Sequence, residues 1–478
     1  MGKHLQKSIP GNPLVFQIQY IEMHYYRLQI FLVLAIIYSG SLKAQVRTMS
    51  AREAVQFAVA NSPTVKNAIL DTEIAKARVM ETTSAGLPQV TGSAVLQYYP
   101  EVQRFVLENT PNTPFYTTAL PADAPVAFGL QLANSFSGTV SATQLIFNGS
   151  YLVGLKASKT YQELSAKQLK QARISLAEQV LKSYYAILVN QEKTRLLDLN
   201  LARLDSTFRE TQALHKNGFI EKVDLDRIEV ALNNLKSEKQ KTNRLLQLSN
   251  HGLKFLMGMP IKDSLALSGK LDEVNPDSLA PVSGPVDYNQ RIEYSTLQTQ
   301  KALAALDLKN VQSGYLPSLV GLATLGVNSA ASKFRNLGNF SEKNRYAPYG
   351  FVGLSLNIPV FDGFQKKYKA QQARINLRKL NNGFNQLESA IDLEVQQANT
   401  NLANAFTNYE IQKRNLSLAQ EVVRVSKVKY RQGVGSNLEV TNAESSLKES
   451  QTNYYSALYD FIIAKIDLDK AQGKLLND

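Results

Sequence analysis

Between Asp362 and Asp478 the chain carries no proline, and its apolar and small residues return at a fixed interval. Ile391, Val395, Ala398, Leu402, Ala405, Tyr409, Gln412, Leu416, Ala419, Val423, Ser426 and Tyr430 alternate spacings of four and three without a break. That is a period of 3.5, the signature of long helices packed side by side. Subtracting 215 from each number gives Leu176, Val180, Ser183, Ile187 and so on to Thr211 and His215, a less apolar seam in the same register. The second proline-free stretch runs from Phe147 to Met259. Unbroken helices of about 60 residues would reach roughly 90 Å at 1.5 Å per residue.

The offset marks a chain that repeats itself. "LIFNGSYLVGLKAS" (Leu145–Ser158) is echoed by "PVFDGFQKKYKAQQ" (Pro359–Gln372), and "GLPQV" (Gly86–Val90) by "YLPSL" (Tyr315–Leu319). Gly258 lies 40 residues past Gly218, and Gly473 lies 40 past Gly433. We therefore read residues 1–44 as an extension with a signal peptide, 45–257 as a first repeat, 258–290 as a linker and 291–478 as a second repeat. In the first repeat a helix precedes a β-hairpin over 91–147 and a helical hairpin over 150–257 with its tip near 216–224. In the second the β-hairpin is 317–361 and the helical hairpin 363–472, with its tip near 431–439.

Four segments read as strands. They are Thr91–Tyr99, Ser135–Phe147, Ser318–Asn328 and Tyr349–Phe361. The last alternates Val352, Leu354, Leu356 and Ile358 with Gly353, Ser355 and Asn357. Two apolar-and-polar faces suit either a soluble hairpin under helices or a membrane strand, whose usual length is about 9–11 residues. Four strands cannot close a barrel, and lipid does not tolerate an open sheet edge. Two chains would supply eight strands around a plugged interior, and three would supply twelve with room for a lumen.

At the N-terminus, Arg27 precedes an apolar run from Ile30 to Ile37 and then "SGSLKA", ending at Ala44. This is the pattern of an export signal cleaved near Ala44; a retained anchor is the alternative. Removing residues 1–44 takes Lys3, Lys7, Arg27 and Lys43 together with Glu22, lowering the formal charge from +13 to +10. The remaining bases are interspersed along helical segments, which suits solvated faces and not a nucleic-acid site. No cysteine is present, so disulfides, thiolate metal sites and a cysteine nucleophile are excluded. His215 falls on a helix seam, no phosphate-cradling glycine loop appears, and the six methionines are unclustered. The chain reads as no enzyme, with no cofactor.

Two rounds of strand, strand, long helix, tip and helix, with "FNG" and "FDG" after the second strand of each round and "NGFIEKVD" and "QGVGSNLE" at the tips, resemble the TolC-type outer-membrane factor family. The resemblance covers about 50–473. It implies a mixed α and β membrane protein, a homotrimer whose twelve-stranded transmembrane β-barrel takes four strands per chain and continues into an α-helical coiled-coil barrel in the periplasm. An equatorial region would include 258–290. The implied role is the outer-membrane export duct of a tripartite efflux pump or type I secretion system in a Gram-negative bacterium. The implied partners are a periplasmic adaptor, an inner-membrane pump and outer-membrane lipid.

By the same resemblance, Gly218, Phe219, Ile220, Gly433, Val434 and Gly435 are adaptor-docking turns; a plain helix turn would also explain the glycines. A periplasmic gate falls on Asp224, Tyr430, Glu439 and Asn442. Tyr430, Asp224 and Glu439 match family positions, whereas Gly435 stands where an arginine is expected and Asn442 where a second acid is expected. A Tyr430–Asp224 hydrogen bond would remain, and Arg227 or Arg431 would be the substitutes for the arginine. Asp224 and Glu439 are equally suited to stabilising the N-termini of the helices they open. The competing function is a periplasmic coiled-coil scaffold or adaptor without a barrel; a secreted enzyme is weaker still.

Overall fold

A computed structural model describes residues 47–112, 116–269, 271, 286–339 and 345–476. The signal peptide expected over 1–44 and residues 270 and 272–285 of the linker expected over 258–290 lie outside the described residues. The elements in order are β1 (Arg47–Met49), α1 (Ala51–Asn61), α2 (Pro63–Ser84), β2 (Gln89–Tyr98), β3 (Arg104–Glu108), β4 (Pro125–Gly129), β5 (Asn134–Phe147), α3 (Gly149–Lys216) and α4 (Lys222–Met257). They continue with β6 (Leu265–Leu267), α5 (Ile292–Ser313), β7 (Ser318–Ala331), β8 (Tyr346–Asn357), α6 (Gln365–Arg431) and α7 (Asn437–Ala471). The described residues form two compact units, one within Met1–Ala58, Val180–Asn275 and Val422–Tyr455, the other within Val59–Gln179, Pro276–Glu421 and Ser456–Asp478.

Local chemistry sets the element ends. Glu53 accepts from the Ser50 backbone N–H and hydroxyl at 2.7 and 2.8 Å, a capping box that starts α1. Pro63 supplies the preset φ that opens α2. The "FNG" and "FDG" motifs are the caps of the two longest helices. Asn148 Oδ1 accepts from the Tyr151 N–H at 2.9 Å, and Asp362 Oδ2 from the Lys366 N–H at 3.0 Å. Fourth-strand pairing ends at Asn357, four residues before the expected Phe361, because Pro359 has no N–H for a ladder.

The second unit contains a four-stranded antiparallel sheet in the order β2-β5-β7-β8. Its register sorts the side chains by face, since residues directly opposite each other point the same way. Leu96 faces Phe136, Val140 faces Leu325, and Ala323 faces Val352, and Leu354 and Leu356 continue that face along β8. Leu325 is 72% exposed, Leu354 70% and Val352 86%. The other face carries Thr91, Ser93, Gln97, Ser137, Thr139, Ser141, Thr324 and Ser355, interspersed with Val95, Val320, Leu322 and Phe351. There the Ser93 and Thr139 hydroxyls lie 2.6 Å apart and those of Ser141 and Thr324 3.2 Å apart. An apolar face left open beside a hydroxyl-lined one is the reverse of a soluble hairpin, which buries its apolar side.

The connection between β2 and β5 contains Pro100, Pro111, Pro114, Pro121 and Pro125, yet it carries its own two-stranded sheet of β3 and β4. Asn109 organises it by donating to the carbonyls of Thr117, Leu120 and Pro121 and accepting from the Thr117 N–H. Elsewhere in the same unit α6 packs on α7 through Ile391, Val395, Ala398 and Leu402 against Phe461, Ala464 and Leu468. The period-3.5 seam is thus the buried stripe. Arg291, 5% exposed, donates to the Ala471 carbonyl at 2.6 Å and to Glu394 at 2.7 Å, holding the C-terminal end of α7.

In the first unit the seam of α3 is buried at Val180, Ile187 and Leu197, but a second face is covered too. Tyr184, 1% exposed, donates to the Met49 carbonyl at 3.1 Å and accepts from the Gly269 N–H at 3.1 Å. These contacts belong to a short parallel pair, β1 with β6. Three-residue strands leave no readable alternation, so sequence periodicity did not reveal them. Among the described residues no helix is long and apolar enough to cross a membrane.

Candidate functional site

Both helix turns at the tips are built the same way. Gly218 has φ 79° and Gly433 φ 74°, the left-handed conformation that glycine adopts without steric cost. At the first turn the Gly218 N–H donates to the His215 carbonyl and the Phe219 N–H to the Leu214 carbonyl. At the second, Gly433 donates to Tyr430 and Val434 to Lys429. This is the Schellman pattern of helix termination, in which a glycine lets the last carbonyls be satisfied. Gly258 and Gly473, also at positive φ, end α4 and α7 with the same pair of bonds.

The geometry leaves an apolar residue outside each tip. Phe219 is 76% exposed and Val434 75% exposed. Val223 and Leu438, one turn further on, are exposed as well, and each sits 215 residues from its counterpart. Ile220 is half-buried. Gly435 has no positive φ; it is close to the preceding helix, where a Cβ would meet Lys429 Cβ at 3.0 Å and the Tyr430 nitrogen at 3.1 Å. An arginine in its place would need that turn to move.

The expected gate residues divide into separate contacts. Asp224 pairs with Arg227 at 3.5 Å in the first turn of α4, and among the described residues it makes no hydrogen bond to Tyr430. Tyr430 is half-buried, and burial raises its phenol pKa, with Glu210 and Asp224 adding to the shift. Its hydroxyl therefore stays protonated in a negative environment. Glu439 lies 3.8 Å from Lys429, and its N–H donates to the Ser436 hydroxyl at 3.1 Å, capping α7. Asn442 is exposed.

A row of ties along α7, in the first unit, was not anticipated. Lys448 meets Glu238 of α4, Gln451 accepts from Asn200 of α3 at 3.2 Å, and Tyr455 donates to Glu192 of α3 at 3.0 Å. Below them Lys427 of α6 pairs with Glu444 of α7 at 2.6 Å. Polar residues at spacings of three and four on one face were the available signal, though exposed polar faces look alike in sequence. A cavity of about 250 Å³ lined by Asn200, Asn234, Glu444 and Lys448 lies among these helices.

No group of residues suited to holding a metal is present among the described residues. The cation efflux system protein CusC of Escherichia coli is 23% identical over 448 residues, 90% of this chain and 86% of that protein. The alkaline protease secretion protein AprF of Pseudomonas aeruginosa is 20% identical over 334 residues, 69% of this chain and 68% of that protein. The CmeC outer membrane channel of Campylobacter jejuni shares the fold, with TM-score 0.68 at 15% identity and 92% of each chain covered. A family profile for outer membrane efflux proteins matches residues 54–259 and again 289–474, most of the chain, and the protein belongs to that family.

Proposed function

We propose that three copies of this chain close one twelve-stranded barrel in the outer membrane, around the lumen of an export duct. The protein is an outer-membrane duct of the efflux and secretion class, with its helical part in the periplasm. The observation that carries the trimer is the sheet itself. Its apolar face is open, and among the described residues β2 and β8 each pair on one side only. Strands of 10, 14, 14 and 12 residues fit a tilted membrane span. In the order β2-β5-β7-β8 the two edges run antiparallel, so β8 of one copy can continue into β2 of the next with the alternation kept. Closure then removes every edge, which lipid requires. The hydroxyl-rich face lines the lumen.

The two halves of the chain act as an internal repeat, giving six similar tips per trimer. Phe219, Ile220 and Val434, presented by turns at Gly218, Gly433 and Gly435, are the surface for a periplasmic adaptor, itself linked to an inner-membrane pump. An apolar residue kept in water at a tip is explained by a partner that covers it. Asp224, Tyr430, Glu439 and Asn442 surround the closing end. Because the family arginine is absent, the resting state is held instead by the ties of α7 to α3 and α4. Cargo choice lies with the pump: relatives are named for cation efflux and for protease secretion.

Membrane fractionation and planar-bilayer recording test this reading together. The protein is expected in the detergent-extractable outer-membrane fraction, as a trimer that conducts ions. A chain released by osmotic shock and silent in bilayers supports the scaffold reading instead.

A further inference from the structure

We propose that the junction of β8 with α6 is an anionic phospholipid site, binding headgroups of the periplasmic leaflet through Lys367 and Lys369 beside a cluster of exposed aromatic rings. The inference rests on the membrane reading above and adds the headgroup class and the residues.

The apolar line of β8 does not stop with the strand. Val352, Leu354 and Leu356 are followed at the same spacing by Ile358 and by Val360, which is 91% exposed. Two consecutive left-handed residues, Gly363 at φ 65° and Phe364 at φ 65°, then turn the chain into α6. Phenylalanine is an unusual occupant of that region, and a backbone held there points to a constraint beyond the turn itself. Its ring is exposed and packs edge-on against Phe361, centroids 5.4 Å apart. Tyr315 and Tyr368 are exposed nearby in the same unit. Aromatic side chains at the end of an apolar strand band are the usual mark of the membrane–water interface.

The charges are one-sided. Asp362 is the last acid before Glu388, and Lys366, Lys367, Lys369, Arg374, Arg378 and Lys379 fall between them. Lys366 is answered by Asp362 at 3.6 Å and lies over the Tyr315 ring at 5.4 Å. Among the described residues Lys367 has no acidic partner; its ammonium sits 5.5 Å from the Phe364 centroid and 5.9 Å from that of Tyr368. Lys369 is exposed, and among the described residues it too has no acidic partner. Both lie in the first turns of the helix, within headgroup reach of the strand end at 1.5 Å per residue. Basic residues immediately outside an apolar band select anionic lipid.

The test is lipid-dependent thermal unfolding of the purified full chain in detergent, titrated with phosphatidylglycerol or with phosphatidylcholine of the same chains. Wild type is expected to be stabilised by both and at lower concentrations by phosphatidylglycerol. Each lysine near an anionic surface is worth roughly fivefold in binding, so Lys367→Gln with Lys369→Gln should cut the phosphatidylglycerol preference by about 25-fold. Lys367→Arg with Lys369→Arg should keep it, high salt should erase it in wild type, and glycerol phosphate without acyl chains should not stabilise. Equal response of wild type to the two lipids overturns the proposal, as does a preference unchanged in the glutamine variant. No stabilisation by either lipid would instead overturn the membrane reading beneath it.

Discussion

The Tyr455 hydroxyl of α7 donates to Glu192 Oε1 of α3 at 3.0 Å, while Arg195 Nε donates to the same carboxylate at 2.8 and 3.0 Å. Arg195 foremost, with Tyr455 assisting, holds the Glu192 carboxyl below its ordinary value of 4.5. A depressed carboxylate contributes stability above its unfolded pKa and loses it as pH falls through the folded one. Tyr455→Phe should therefore cost about 1 kcal/mol at neutral pH. The deficit relative to wild type should shrink below pH ~4.5, as Glu192 takes up a proton. Urea unfolding at pH 7 and pH 3.5 measures both, and a deficit independent of pH would deny the carboxylate its role.

Cysteine-free wild type makes barrel closure testable by oxidation. Ser93→Cys on β2, combined in turn with Gly353→Cys, Ser355→Cys and Asn357→Cys on β8, samples the unknown register on one face. A disulfide needs Cα atoms roughly 4.4–6.8 Å apart, so only one pairing should react well. It should give a covalent ladder ending at three chains. A ladder that ends at two would favour an eight-stranded barrel.

The two faces of β8 should respond oppositely to charge. Leu354→Arg places a cation in lipid and should cost up to about 2–4 kcal/mol of folding stability in vesicles. Ser355→Arg, on the hydroxyl-lined face, should leave stability nearly unchanged and lower cation conductance. Equal penalties at both positions would argue that neither face meets water.

In the proposed trimer, Glu439→Gln should weaken block by multivalent cations in planar bilayers, because three copies near one axis would form an attractive field. Lys448→Met and Asn200→Ala, which cut ties of α7, should raise basal conductance severalfold over wild type. Unaltered currents in all three would place the constriction elsewhere.

Phe219→Asp and Val434→Asp should abolish export in cells while bilayer conductance stays at the wild-type level. Export is scored by drug susceptibility or cargo secretion with the native partners present. Loss of conductance would show that the tips shape the pore itself.

Long helices and their turns were legible in the sequence because they depend on local order. A seam such as Ile391, Val395, Ala398 and Leu402 repeats at the period of a packed helix, and the structure buries all four. Gly218, Gly258, Gly433 and Gly473 were readable as stops because the left-handed region favours glycine almost alone. The strand alternation of β8 was equally plain. Its meaning was not: Val352 and Leu354 would look the same under a helix or under lipid, and the structure shows only that no helix of this chain covers them, since they are 86% and 70% exposed.

The sequence by itself determined the element types, the two-fold order of landmarks and the residues offered at each tip, all set by neighbours within a few positions. Only the tertiary structure decided which polar residues meet. Tyr455 and Glu192 are 263 positions apart, and Asn200 and Gln451 are 251 apart. Hydrogen bonds leave no periodic trace, since any exposed helix face carries Glu, Lys, Asn and Gln, and packing alone selects the pairs. The same holds for Asp224, which local geometry turned toward Arg227 on its own helix.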